Sequence, residues 1–155
     1  GVMGGSKFVN HEDEKYAYEI GKAIALEGWV LLNGGRSSGV MEATARGAKE
    51  YGGITVGILP VDRAGWASQY IDIPIVTGMG LARNVINILS SDIIVALPGR
   101  AGTISEIALA LNHGKKVILF RFEVGMWIKS YRENGQVFYI SDIDKLIQLL
   151  REIAK

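Results

Sequence analysis

Asp92-Ile-Ile-Val-Ala-Leu-Pro-Gly-Arg-Ala-Gly-Thr-Ile-Ser-Glu106 reads as a strand ending at Leu97, a turn on Pro98 and Gly99, and a helix entered at once. The strand is an unbroken apolar run, the pattern of a strand covered on both faces. The same grammar predicts strands at Trp29–Leu32, Ile54–Leu59, Ile71–Val76 and Lys116–Phe120. Helical spacing lies between them. Ala17, Ile20 and Ile24 share a face in Glu12–Glu27, and Val40, Met41, Thr44 and Ala48 share one in Gly39–Tyr51. Leu81, Val85, Ile88 and Leu89 form an apolar stripe with Arg83, Asn87 and Ser90 opposite it. Ile104, Ile107, Ala108 and Leu111 follow, and a last helix begins at Asp142 behind an expected N-cap at Ser141. Strand–helix alternation implies parallel pairing and right-handed crossovers. The expectation is a Rossmann-like, doubly wound α/β fold with a mostly parallel sheet, forming one nucleotide-binding domain over residues 1–155. Gly1-Val2-Met3 reads as the tail of a strand whose start is missing, and Trp127–Tyr139 as an irregular loop over one edge.

The 155 residues are 48% hydrophobic and 21% charged, ordinary values for a chain with a buried core. No apolar run reaches bilayer length and no secretion signal is visible, so no membrane partner is expected and the cytoplasm is the default compartment. The absence of cysteine removes disulfides, thiolate nucleophiles and cysteine-based metal sites. Of the two histidines, His113 precedes Gly114 at an expected helix end, where it caps rather than ligates; no metal site is expected. A net charge of +1 with dispersed lysines and arginines argues against a nucleic-acid groove.

In open parallel sheets, ligands bind beyond the carboxyl ends of the strands, and the glycines gather there. Gly4-Gly5-Ser6 follows the first strand, and Asn33-Gly34-Gly35-Arg36-Ser37-Ser38-Gly39 the second. Thr77-Gly78-Met79-Gly80 leads into the Arg83 helix, and Pro98 to Thr103 leads into the helix carrying Glu106. Four such loops on one rim suggest that backbone approaches a ligand closely, although each alone could be a tight turn. The Pro98–Thr103 loop is the sharpest signal, because a helix start offers free N–H groups and the positive end of a dipole to an anion. Thr103 and Glu106 also have capping-box spacing. Glu106 can therefore serve the helix or face the ligand, and the residues alone do not decide. Arg83 can be solvated, or can grip an anion with its planar fork.

Three common motifs are excluded. Gly34 and Gly39 have P-loop spacing, but Val40-Met41 stands where Lys-Ser/Thr is required. Gly78-Met79-Gly80-Leu81-Ala82-Arg83 ends in arginine where a dinucleotide fingerprint needs glycine or alanine, and it comes late in the chain. No Gly-x-Ser-x-Gly nucleophile elbow is present.

Pro98-Gly99-Arg100-Ala101-Gly102-Thr103-Ile104-Ser105-Glu106 resembles the Pro-Gly-Gly-x-Gly-Thr-x-x-Glu signature of the Lonely Guy (LOG) superfamily, whose members were once labelled "lysine decarboxylase". Asn33-Gly34-Gly35 through Gly39-Val40-Met41 is similar to its Gly-Gly-Gly-x-x-Gly-Leu-Met loop. Arg83 falls where that family carries a substrate-facing arginine. Gly80-Leu81-Ala82-Arg83-Asn84-Val85 looks closest to the branch containing molybdenum cofactor carrier proteins.

The resemblance implies a phosphorylated small molecule as partner: either a nucleoside monophosphate or a molybdopterin-type cofactor, bound as ligand with no cofactor required for the fold's own work. The leading expectation is binding or carriage of such a ligand. The alternative is hydrolysis of the N-glycosidic bond of nucleoside 5′-monophosphates, with Gly102 and Thr103 on the phosphate, Arg83 completing the clamp, and Glu106 at the ribose and water. The binding set expected is Gly34, Gly35, Arg36, Gly39, Gly99, Arg100, Gly102 and Thr103, with Gly5, Ser6, Met79 and Asn84 more peripheral. Asn84 replaces the lysine of the hydrolases and Arg100 replaces a loop glycine. With Arg36, these changes suit a more anionic ligand. Lysine decarboxylation would need pyridoxal phosphate on a lysine, and the sequence reading puts no lysine in the site. A homo-oligomer, dimer or higher, with the site near a subunit contact is also implied.

Overall fold

Every strand of the computed structural model, which describes residues 1–154, pairs in parallel with its neighbour. The strands are β1 (Val2–Met3), β2 (Leu31–Asn33), β3 (Thr55–Leu59), β4 (Ile73–Val76), β5 (Ile93–Ala96), β6 (Lys116–Phe120) and β7 (Val137–Ile140). Ladders join them as β1-β5-β6-β7 and β2-β3-β4, with β1 lying beside β2. The chain therefore builds outward from β1 to β4, then returns to the other side of β1 to lay down β5, β6 and β7. That reversal is the switch point of a doubly wound fold, and loops from both halves meet there.

Among the described residues, six helices connect and cover the strands: α1 (Asp13–Leu26), α2 (Gly39–Glu50), α3 (Arg83–Leu89), α4 (Ala101–Asn112), α5 (Lys129–Glu133) and α6 (Ile143–Ile153). Alternate strand residues feed two cores. Val2, Leu31, Val95, Ile118 and Phe120 pack with α1, α2 and α6 through Ile20, Ala45 and Leu146. Met3, Leu32, Ile94, Ala96, Val117 and Leu119 pack with α3 and α4 through Ile88 and Ile107. Covering both faces is why the strand runs read as continuously apolar. Strand β4 is the exception: it closes one edge, and all four of its residues are exposed. Among the described residues, no helix is long and apolar enough to cross a membrane.

Two expectations need correction. Trp127–Tyr139 is no loop: it holds a short 3₁₀ turn, α5 and most of β7, whose Val137 pairs with Val117 and whose Tyr139 pairs with Leu119. This edge strand has a mixed burial pattern and a partner twenty positions away (Val117 to Val137). The N-cap of α6 is Asp142 rather than Ser141, since its carboxylate accepts the Lys145 N–H at 3.0 Å. His113 is the C-cap residue of α4, its N–H donating to the Leu109 carbonyl at 3.1 Å.

Candidate functional site

Gly5 ties three loops of the rim together. Its N–H donates to the Pro98 carbonyl at 3.1 Å, and its own carbonyl accepts the Val40 N–H at 3.0 Å. The loops after β1, β2 and β5 are thus joined through one residue. Gly39 makes this approach possible: its φ is +53°, and a Cβ there would strike the Gly5 carbonyl. Asn33, fully buried at the end of β2, braces the second loop. Its amide donates to the Met41 carbonyl at 2.9 Å and the Thr44 hydroxyl at 3.0 Å, and its carbonyl accepts the Gly35 N–H at 2.8 Å.

Helix α4 begins at Ala101, three residues earlier than a Thr103 cap requires. Its internal ladder opens with Ile104 N–H donating to the Arg100 carbonyl at 3.1 Å. The amides of Ala101, Gly102 and Thr103 therefore have no helical acceptor, and the N-cap residue Arg100 offers no side-chain cap. This decides the question left open by the Thr-x-x-Glu spacing. Glu106 does not fold back on the helix start. Its Oε1 accepts from Asn87 Nδ2 at 3.1 Å and lies 3.9 Å from Arg83 Nη1.

Helix α3 departs from its expected wheel. Arg83, Asn84 and Asn87 are buried along with Ile88, while Leu89 is half exposed and Leu81, in the turn before it, is 83% exposed. The polar face turns inward because it meets Glu106 of α4. Arg83 Nη1 donates to Asn84 Oδ1 at 2.6 Å, and its Nη2 sits under Gly34, where a Cβ would come within 2.6 Å of it. Burial pushes the Glu106 carboxyl above its ordinary range, opposed by the Asn87 hydrogen bond and the Arg83 charge. Burial likewise lowers Arg83, with Glu106 opposing and the Arg36 charge reinforcing.

Between these elements lies a cavity of about 290 Å³ at the switch point, near the lower end of small-molecule sites. Of the residues singled out from sequence, Gly5, Ser6, Gly34, Arg36, Arg83, Asn84, Arg100, Gly102, Thr103 and Glu106 line it. Gly35, Gly39, Gly99 and Met79 do not. Gly35 is held by Asn33, Gly39 backs onto Gly5, Gly99 abuts the Thr103 hydroxyl, and Met79 is half exposed. Lysine is not absent from the site: the exposed Lys7 also lines the cavity, two residues past Gly5. Sequence reading also passed over the buried braces Asn33 and Asn87. An asparagine directly before Gly34-Gly35 was the available signal for Asn33. Four cations (Lys7, Arg36, Arg83 and Arg100) therefore surround one carboxylate, and no aromatic side chain lines the cavity among the described residues.

Solved structures of similar fold include the molybdenum cofactor binding protein of Rippkaea orientalis. It is 45% identical with a TM-score of 0.91, covering 100% of this chain and 96% of that one. The molybdenum cofactor carrier protein of Chlamydomonas reinhardtii is 41% identical with a TM-score of 0.89, covering 100% and 97%. Over 101 residues the chain is 40% identical to a cytokinin riboside 5′-monophosphate phosphoribohydrolase of Mycobacterium tuberculosis, covering 63% of this chain and 54% of that enzyme. A family model matches residues 1–147, and with these relatives it settles the kinship: the chain belongs to the SLOG cluster4 family, within the LOG-like proteins.

Proposed function

We propose that this protein binds and carries a phosphorylated pterin of the molybdenum cofactor type, or a nucleotide-like ligand of the same charge. The observation that carries this reading is the excess of cations over carboxylate in the cavity, set against an uncapped helix start. Free amides and a helix dipole suit a phosphate, and Arg36, Arg83, Arg100 and Lys7 suit further anionic groups. A cavity without aromatic lining grips the charged end of its ligand rather than its ring system. The relatives named for molybdenum cofactor binding and carriage, alike over nearly their whole length, support the same assignment.

The fit extends to the individual residues. Gly102 and Thr103 would hold the phosphate through their amides, Arg83 and Arg100 would neutralise it, and Arg36 and Lys7 would meet the outer anionic groups. A second reading, phosphoribohydrolase, rests on one observation: Glu106 is a buried carboxyl inside the cavity and would stabilise positive charge developing on a sugar. Native mass spectrometry of freshly purified protein, with AMP incubation assayed for free base, separates the two. A co-purifying pterin and no base release is the expected result. Base release abolished by Glu106→Gln would replace carriage with hydrolysis.

The protein works as a cytoplasmic homo-oligomer in this reading. Ile73, Ile75 and Val76 of β4, with Met79 and Leu81, are exposed apolar side chains, and Leu81 also lines the cavity. A second copy covering that face would place the cavity beside the subunit contact. Light scattering should give a mass of two or more chains, falling in Leu81→Glu.

A further inference from the structure

An arginine and a carboxylate buried side by side normally close to about 2.8 Å, often through two parallel hydrogen bonds. Arg83 and Glu106 are both buried, at 8% and 6% exposure, yet their nearest atoms stand 3.9 Å apart. Each is tied elsewhere. The Arg83 Nη1 that would reach Glu106 donates to Asn84 Oδ1 at 2.6 Å, and Glu106 Oε1 accepts from Asn87 Nδ2 at 3.1 Å. Nη2 is lodged under Gly34. Arg83 Nε is buried without any partner, although Arg83 lines the cavity. Buried donors are nearly always satisfied, so a guanidinium left with an unpaired Nε beside a cavity has hydrogen-bonding capacity that the protein itself does not use.

We infer that Asn84 is a positioning residue: its side-chain carbonyl holds the Arg83 guanidinium off Glu106, so that Arg83 stays open to an anionic ligand oxygen while Glu106 stays open to a hydroxyl or N–H on the same ligand. Asn84 and Arg83 lie on α3 and Glu106 on α4, so the tie on Arg83 comes from its own helix and does not depend on how the two helices settle. The ligand thereby selected carries an anion and a hydrogen-bond donor close together. That part rests on the function proposed above. The tie on Arg83 does not. The charged groups around Glu106 are Arg83 from α3, Arg36 from the β2–α2 loop, Arg100 at the start of α4 and Lys7 from the β1–α1 loop; no second carboxylate lines the cavity among the described residues.

The test is Asn84→Ala, alone and with Glu106→Gln, read by calorimetric titration with AMP. Without Asn84 the guanidinium collapses onto Glu106, so AMP binding should weaken about tenfold. With Gln at position 106 no carboxylate captures Arg83, and the same Asn84→Ala change should cost less than twofold. A plain packing role would cost the same in both backgrounds, because independent effects add; that result overturns the inference. A second readout needs no ligand. Carbon NMR titration of the Glu106 carboxyl, assigned with Glu106→Gln, should move to lower pH in Asn84→Ala, because the guanidinium now pairs directly. Asn84→Asp, which keeps the acceptor, should show no downward movement and guards against a misfolded alanine variant. An unmoved or raised Glu106 titration in a folded Asn84→Ala protein also overturns the inference. Should wild-type protein bind no AMP, the nucleotide-like form of the proposed ligand fails, and the ligand-free titration still decides the role of Asn84.

Discussion

Helices α3 and α6 are both amphipathic, and they face opposite ways. In α6, Leu146 and Leu150 go into the core and the charged residues face water, as the hydrophobic effect dictates. In α3, Arg83, Asn84 and Asn87 go inward and Leu89 is left half exposed. Burying polar groups costs free energy unless each is hydrogen-bonded, and α3 offsets part of that cost through Asn87, which donates to Glu106 of α4, and through Asn84, which accepts from Arg83. One helix holds the fold together. The other is shaped by the cavity it walls.

The contrast is open to direct attack. Leu146→Ala should cost about 2–5 kcal/mol of unfolding free energy in denaturant titration, with phosphate affinity of the folded fraction unchanged. Arg83→Ala should do the reverse, weakening AMP binding by about 1–3 kcal/mol in calorimetry; an unaltered affinity would reduce α3 to an ordinary surface helix. Glu106→Gln should alter how stability depends on pH. Its carboxyl titrates higher when folded, so between the unfolded and folded values the native state holds a proton that the unfolded state has released. Stability must fall as pH rises through that window. Melting temperatures measured across pH should therefore show wild type losing ground to Glu106→Gln as pH rises above the ordinary carboxylate range. Leu89→Ser should move stability by no more than about 0.5 kcal/mol, because its side chain is 52% exposed.

The same contrast explains what could be read from the residues alone. Local pattern sufficed for α6 and for β6, where Lys116–Phe120 is the strand in both accounts. It misled for α3: of the stripe Leu81, Val85, Ile88 and Leu89, only Ile88 is buried. Periodicity separates two faces of a helix but does not say which one turns inward, and the partner that decides, Glu106, lies on another helix. The Thr103–Glu106 spacing was ambiguous for a related reason. It is settled by the entry of α4 at Ala101, a matter of backbone geometry around Gly99 and Arg100. Lys7 lines the cavity from the β1–α1 loop, and no nearby residue announces that. The glycines at strand ends were legible because close chain approach admits few alternatives.

The backbone of Gly5 has a practical consequence for anyone remodelling this protein. Because its two polar groups link the segments after β1, β2 and β5, those segments behave as one knot rather than three separate threads. Replacing the segment after β1 would disturb both links at once, whereas replacing either of the others disturbs only one, so a change of ligand preference is best sought with Gly5 left in place.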